Sequence, residues 1–80
     1  MLAAQTIHDT MAAALRLART RSHLTQTQLA ERMGTSQSTV GRLEAGGRWP
    51  SPDTISRWMG ATGTASLGAL MLDAERGATS

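Results

Sequence analysis

The chain has 80 residues and a formal net charge of +2, with no Cys, Tyr or Phe. So short a chain cannot enclose a deep catalytic cleft beside a full core. Without Cys it has no disulfide, thiolate nucleophile or Cys-ligated zinc, and a reducing compartment is the default setting.

Nine Leu, two Ile and one Val make an aliphatic fraction low enough to suggest disorder. The small net charge and the many Ala, Met and Leu, all strong helix formers, argue instead for an all-α fold with a thin, Ala-rich core. Thr6 with Asp9 resembles a capping box, and Ile7, Met11, Leu15 and Ala18 follow at helical spacing, which predicts a first helix over Ile7 to Arg21. Thr25 with Gln28 is a better box, opening a second helix with Leu29, Ala30 and Met33 inward and Gly34 at its end. Ser36 caps a third helix with Val40 and Leu43 inward, stopped by Gly46-Gly47. Ser51-Pro52-Asp53 sets a cap, a first-turn Pro and a carboxylate at the start of a fourth helix that runs through Ile55, Trp58 and Met59. Ser66 opens a fifth over Leu67 to Glu75, while Met1 to Gln5 and Gly77 to Ser80 are expected to fray. No apolar run reaches membrane-spanning length and MLAAQTIHD has no basic n-region, so the chain is expected to be cytoplasmic.

Charge is placed unevenly. Seven Arg at 16, 19, 21, 32, 42, 48 and 57 stand against Glu31, Glu44 and Asp53, so this segment carries +4 and each flank −1. All eight cations are Arg, which suits bidentate recognition of phosphate or guanine. Codon bias in a GC-rich genome explains that choice equally well when it is taken alone.

The second and third helices, split by Met33-Gly34-Thr35-Ser36, have the spacing of a helix-turn-helix, whose second helix can lie in a DNA major groove. The third helix turns Gln37, Ser38, Gly41, Arg42 and Ala45 outward, a face without bulky apolar groups. Gln can pair with adenine N6 and N7, Arg can take guanine O6 and N7, and Ser or Thr can serve either base.

The stretch from Leu15 to Gly63 resembles the phage-repressor and Cro type of helix-turn-helix domain, also called the xenobiotic-response-element family of bacterial regulators. The resemblance is carried by Leu24-Thr25-Gln26-x-x-Leu29-Ala30, Gly34-Thr35-Ser36-Gln37-x-x-Val40, Arg42-Leu43-Glu44-x-Gly46 and Pro50-Ser51-Pro52-Asp53-Thr54-Ile55, and covers about three-fifths of the chain. It implies a bundle of about five helices that binds DNA as a homodimer. It also implies base-reading roles for Gln37, Ser38 and Arg42, and backbone contacts for Gln26, Thr35, Thr39 and Arg48. Gln26 matches a family glutamine that grips phosphate and often bonds the first reader, here Gln37. Arg19 and Glu44 match a family ion pair buried between the first and third helices, and are assigned to structure.

Other residues draw plainer readings. Ser36 is a helix cap, Trp58 is core, and Arg32 and Arg57 are solvated helix surface. Trp49 has two readings, an indole N–H donated to phosphate or packing on Pro50 or Pro52. His8 and His23 lie at opposite ends of the first helix with no metal-ligand spacing, so neither a metal nor a cofactor is expected, and His23 serves terminal carbonyls. Thr62 and Thr64 replace apolar residues usual in the family, which predicts looser packing into the fifth helix. Gly41 interrupts the recognition helix at roughly 1 kcal/mol relative to Ala, and lets backbone approach a phosphate or a thymine methyl.

The fifth helix is apolar on two sides. Leu67, Leu70, Met71 and Ala74 form one stripe and Leu72 with Ala69 points away, so Ala69 and Leu72 are the expected dimer interface. A rival packs Leu72 on the Met1-Leu2 segment of its own chain. The function expected is a non-enzymatic transcriptional regulator, a repressor, that binds a pseudo-palindromic double-stranded DNA operator as a homodimer. The alternative is an antitoxin that sequesters a toxin partner and represses its own operon. A hydrolase has only His8, Asp9 and scattered Ser to work with, in no triad spacing.

Overall fold

Hydroxyl caps decide where four of the five helices begin. The computed structural model describes the backbone of residues 2–79 and the side chains of residues 7–76. Its elements are all helices, α1 Leu2–Arg21, α2 Gln26–Met33, α3 Gln37–Glu44, α4 Pro52–Thr62 and α5 Leu67–Thr79. At α2 the Thr25 hydroxyl accepts from the Gln28 N–H at 3.1 Å and the Gln28 amide oxygen accepts from the Thr25 N–H at 2.9 Å, a complete capping box. Ser36, Ser51 and Ser66 accept in the same way from the N–H groups of Thr39, Thr54 and Ala69 at 3.2, 3.1 and 3.1 Å.

The helix ends are equally regular. Gly34, Gly46 and Gly63 follow α2, α3 and α4 with φ of 71°, 79° and 68°. That left-handed turn lets the next N–H reach back, from Thr35 to Ala30 O, Gly47 to Arg42 O and Thr64 to Met59 O, at 2.9, 3.0 and 2.9 Å. At the end of α1 the same position is held by His23, with φ 59° the one non-glycine residue at positive φ among those described. The backbone N–H of His23 donates to Thr20 O at 3.0 Å, while Leu24 N–H reaches Arg19 O at 3.3 Å.

Two boundaries differ from expectation. α1 begins at Leu2, so Thr6 lies inside the helix and is not its cap; the preceding Leu-Ala-Ala-Gln run contains no breaker and simply continues the helix. α5 runs to Thr79, through Gly77, and not to Glu75. Thus residues 2–5 and 77–79 are helical, while Met1 and Ser80 lie outside the described residues.

The core gathers Met11, Ala14, Leu15 and Ala18 of α1 with Leu29, Met33, Val40, Leu43, Trp58, Leu70 and Ala74. Trp58 is fully buried, as expected, and donates its indole N–H to Leu15 O at 3.0 Å, so its polar atom is satisfied inside the core. Arg32 and Arg57 are exposed but do more than meet solvent. Arg57 donates to Met33 O at 3.4 Å and Arg32 to Ala61 O at 3.3 Å, each crossing between α2 and α4 to the other helix's last turn, where the helix dipole favours a cation. Thr62 turns its hydroxyl to Trp58 O at 2.8 Å and shares a bond with Thr64 at 2.8 Å. A groove of about 400 Å³ opens beside them, lined by Ala18, Arg21, Ser22, Ala69 and Asp73 among others.

α1 is fastened to α3 by one buried ion pair. Arg19 Nε lies 2.6 Å from Glu44 Oε2 and Nη2 lies 2.9 Å from Oε1, while Nη1 donates to Leu24 O at 2.9 Å. The Glu44 side chain is 3% exposed and that of Arg19 14%. The hydrogen bond to Glu44 raises the Arg19 pKa over the lowering effect of burial, and the Glu44 charge raises it further, so the guanidinium stays charged.

Two stability predictions follow from these contacts. Glu44→Ala leaves Arg19 without its buried partner and is expected to cost about 3–5 kcal/mol in a urea titration; a variant that unfolds at the parent's midpoint would remove the pair from the fold's supports. His23→Gly relieves a left-handed L-residue and should stabilise the chain by about 0.5–1 kcal/mol after allowing for glycine's greater unfolded-state freedom. No rise in melting temperature would show that the imidazole contributes more than the backbone strain costs.

Candidate nucleic-acid interface

The turn Gly34-Thr35-Ser36 sets α3 across α2, and burial of Val40 and Leu43 decides which side of α3 remains outside. Gln37, Ser38 and Arg42 are exposed there, as the sequence predicts, with Thr35 exposed in the turn and Arg48 exposed in the segment that leads to α4. Thr39 is half-buried, its hydroxyl 3.0 Å from that of Ser36, and Ser38 Oγ lies 3.5 Å from Ser36 Oγ. Ser36 therefore acts as a cap, consistent with its plainer reading.

Gln26 is half-buried at the first position of α2 and bridges two neighbours. Its Nε2 donates to Glu44 Oε1 at 3.2 Å and its Oε1 accepts from Gln37 Nε2 at 2.6 Å. The first N–H groups of α2 have no carbonyl a turn earlier to bond, so a partial positive charge faces outward beside this glutamine. Gly41 lies under the same pair. A methyl placed there would stand 3.5 Å from Gln26 Oε1 and 3.5 Å from Gln37 Nε2, ordinary contact distances, so packing within the chain does not itself demand glycine.

The arginines divide by what they touch. Arg19 is paired with Glu44, Arg21 with Asp73 at 2.9 Å and Arg57 with Asp53 at 3.0 Å. Arg16, Arg42 and Arg48 are exposed, and among the described residues none of their side chains makes a hydrogen bond or an ion pair. Their charges are open to an external anion or to a base edge.

Trp49 is 44% exposed and its ring meets that of His8 at 5.1 Å between centroids, tilted by 59°. A ring partner on α1 was not among the options that the sequence offered for Trp49, because the two residues are far apart in the chain and neither stands in a motif. The bonds of Arg32 and Arg57 and the bond from Gln26 to Glu44 were missed for the same reason. No group of three or more His, Cys, Asp or Glu side chains suited to a metal occurs among the described residues, and none of their helices is long and apolar enough to cross a membrane.

On Ala69 and Leu72 the structure agrees with the helical reading of α5. Both are exposed, Leu72 by 54%, on the side away from buried Leu70 and Ala74. The rival packing of Leu72 on Met1-Leu2 involves side chains outside the described residues.

Searches of the curated proteins and of the solved structures gave no match to the chain. The sequence does match the helix-turn-helix family over residues 15–68, from the middle of α1 to the first turn of α5. The match thus takes in the capped α2-turn-α3 unit and the helices that brace it, and the chain belongs to the helix-turn-helix family of the phage-repressor and Cro type, whose members bind DNA and regulate transcription.

Proposed function

We propose that the chain is a sequence-specific repressor that binds double-stranded DNA as a homodimer on a pseudo-palindromic operator. The observation that carries the reading is the outer side of α3, where Gln37, Ser38 and an unpaired Arg42 stand exposed on a helix anchored by its buried face. In this reading α3 enters the major groove, Arg42 takes guanine O6 and N7, and Gln37 and Ser38 read neighbouring bases. Gln26, Thr35, Thr39 and Arg48 hold phosphates on either side, Gln26 with the help of the N–H groups at the start of α2. One such module spans few base pairs, so useful affinity calls for two, about 34 Å apart. Ala69 and Leu72 supply the apolar patch that a second copy covers through a two-fold contact.

Binding measured on a sequence selected from random DNA, and on unrelated DNA, separates these roles. Arg42→Ala should weaken specific binding by about 1–3 kcal/mol and leave non-specific binding nearly unchanged. Equal losses on both DNAs would end the base-reading role of Arg42. Arg48→Ala should weaken both and flatten the salt dependence by about one unit, and an unaltered slope would place Arg48 outside the interface. Leu72→Asp should sediment as a folded monomer with weak DNA binding. A dimer that persists in this variant at about micromolar concentration, where interfaces of this kind are populated, removes the outer side of α5 from the contact.

A further inference from the structure

We infer that Glu44, though buried beneath α3, decides which end of the Gln37 amide faces the DNA, acting through Gln26, and so selects a base with an exocyclic amino group where Gln37 reads. The inference rests on the DNA-reading role proposed for Gln37 and names what that role would recognise.

The argument begins with what a carboxylate can do. Glu44 only accepts hydrogen bonds, and both its oxygens are already held by Arg19, at 2.6 and 2.9 Å. The atom of Gln26 that lies 3.2 Å from Glu44 Oε1 must therefore be the donor Nε2, since a carbonyl oxygen there would set two acceptors against each other. A primary amide carries its oxygen at the opposite end from its nitrogen. Gln26 Oε1 is thus turned toward Gln37, and Gln37 answers with Nε2 at 2.6 Å. One more step of the same alternation leaves Gln37 Oε1 as its free end, with a single N–H of Nε2 beside it.

The free end meets a simple choice in the major groove. Adenine and cytosine present an amino donor, N6 or N4, whereas guanine and thymine present a carbonyl acceptor, O6 or O4. An outward carbonyl oxygen accepts from the first pair and repels the second. Adenine fits best, because its N7 also takes the remaining N–H of Gln37. A Gln37 free to turn over its amide would satisfy either class. What prevents the turn is Glu44, 3% exposed and locked to an equally well-anchored Arg19, so polarity set in the core is passed to the surface in two hydrogen bonds. Glu44 and Gln26 are positioning residues here and touch no base.

The test compares base frequencies in DNA selected from a random pool by the parent, Gln37→Ala, Gln26→Met and Glu44→Gln chains. The position read by Gln37 is the one whose preference disappears in Gln37→Ala. There the parent should favour amino-bearing over carbonyl-bearing bases about fivefold or more, the lower end of what one good base contact supplies. Gln26→Met keeps the ion pair and a similar volume, so its unfolding should match the parent's while that preference falls to about twofold or less, other positions being unaffected. Glu44→Gln replaces two fixed acceptors with an amide that can turn either end toward Gln26, so the imposed polarity is lost and the preference should likewise fall to about twofold or less. Since this variant can also cost the fold, Gln26→Met carries the decision.

A parent that prefers guanine or thymine at the Gln37 position overturns the relay. So does a Gln26→Met chain that binds every sequence more weakly with its preference intact, for Gln26 then only grips phosphate. If no position responds to Gln37→Ala, the base-reading role of Gln37 itself falls and the relay falls with it.

Discussion

The contact between Arg19 and Glu44 is the constraint on which the rest of the arrangement depends. α3 is short, carries a glycine in its middle and buries only Val40 and Leu43 as apolar anchors, which alone would leave its rotation about its own axis weakly held. The fork of Arg19 grips both oxygens of Glu44 in one plane, and the same guanidinium also holds Leu24 O in the α1–α2 connection. Three elements therefore share one planar group. A buried ion pair adds little net stability over a well-packed apolar contact, but it imposes a geometry that apolar packing would leave loose.

The ends of the helices supply a second source of order, suited to a chain with so few large apolar residues. With a reciprocal capping box on α2, serine caps on α3, α4 and α5, and left-handed turns closing α1 to α4, the orphan backbone groups at most of the helix ends have partners. Each such cap is worth roughly 1 kcal/mol, comparable to burying a methylene or more of side chain. Capping thus offsets some of what a thin, Ala-rich core lacks. His23 shows that the turn geometry outranks residue preference, since the chain accepts a strained φ of 59° there to close α1 in the same way.

Local signals made much of this legible in the sequence, and their absence explains the remainder. Thr25 with Gln28, Ser36, Ser51 with Pro52, and Gly34 and Gly46 act within one turn of the chain, so their partners can be named by counting residues. The outward placing of Gln37, Ser38, Arg42, Ala69 and Leu72 follows from helical periodicity in the same way. Thr6 misled because its box-like spacing sits within a run of good helix formers, where propagating the helix costs less than starting a new one. The meeting of Trp49 with His8, the crossed bonds of Arg32 and Arg57, and the bond of Gln26 to Glu44 depend on how helices far apart in sequence come together. No periodicity encodes such contacts.

The arginines show why a count of charges is a poor guide to an electrostatic surface. The seven between residues 16 and 57 look from sequence like one basic patch. In the folded chain Arg19, Arg21 and Arg57 are matched to carboxylates, and Arg32 gives one hydrogen bond to the carbonyl end of α4. A cation already neutralised by a neighbouring carboxylate releases few counterions when a phosphate approaches. Arg16, Arg42 and Arg48 remain exposed with unpaired side chains, so the charge left open to an outside anion is smaller than the count in the sequence suggests. The same chemistry that makes arginine a good structural clamp, a rigid fork with a permanent charge, leaves the uncommitted ones able to pair with an outside anion, and only the fold separates the two groups.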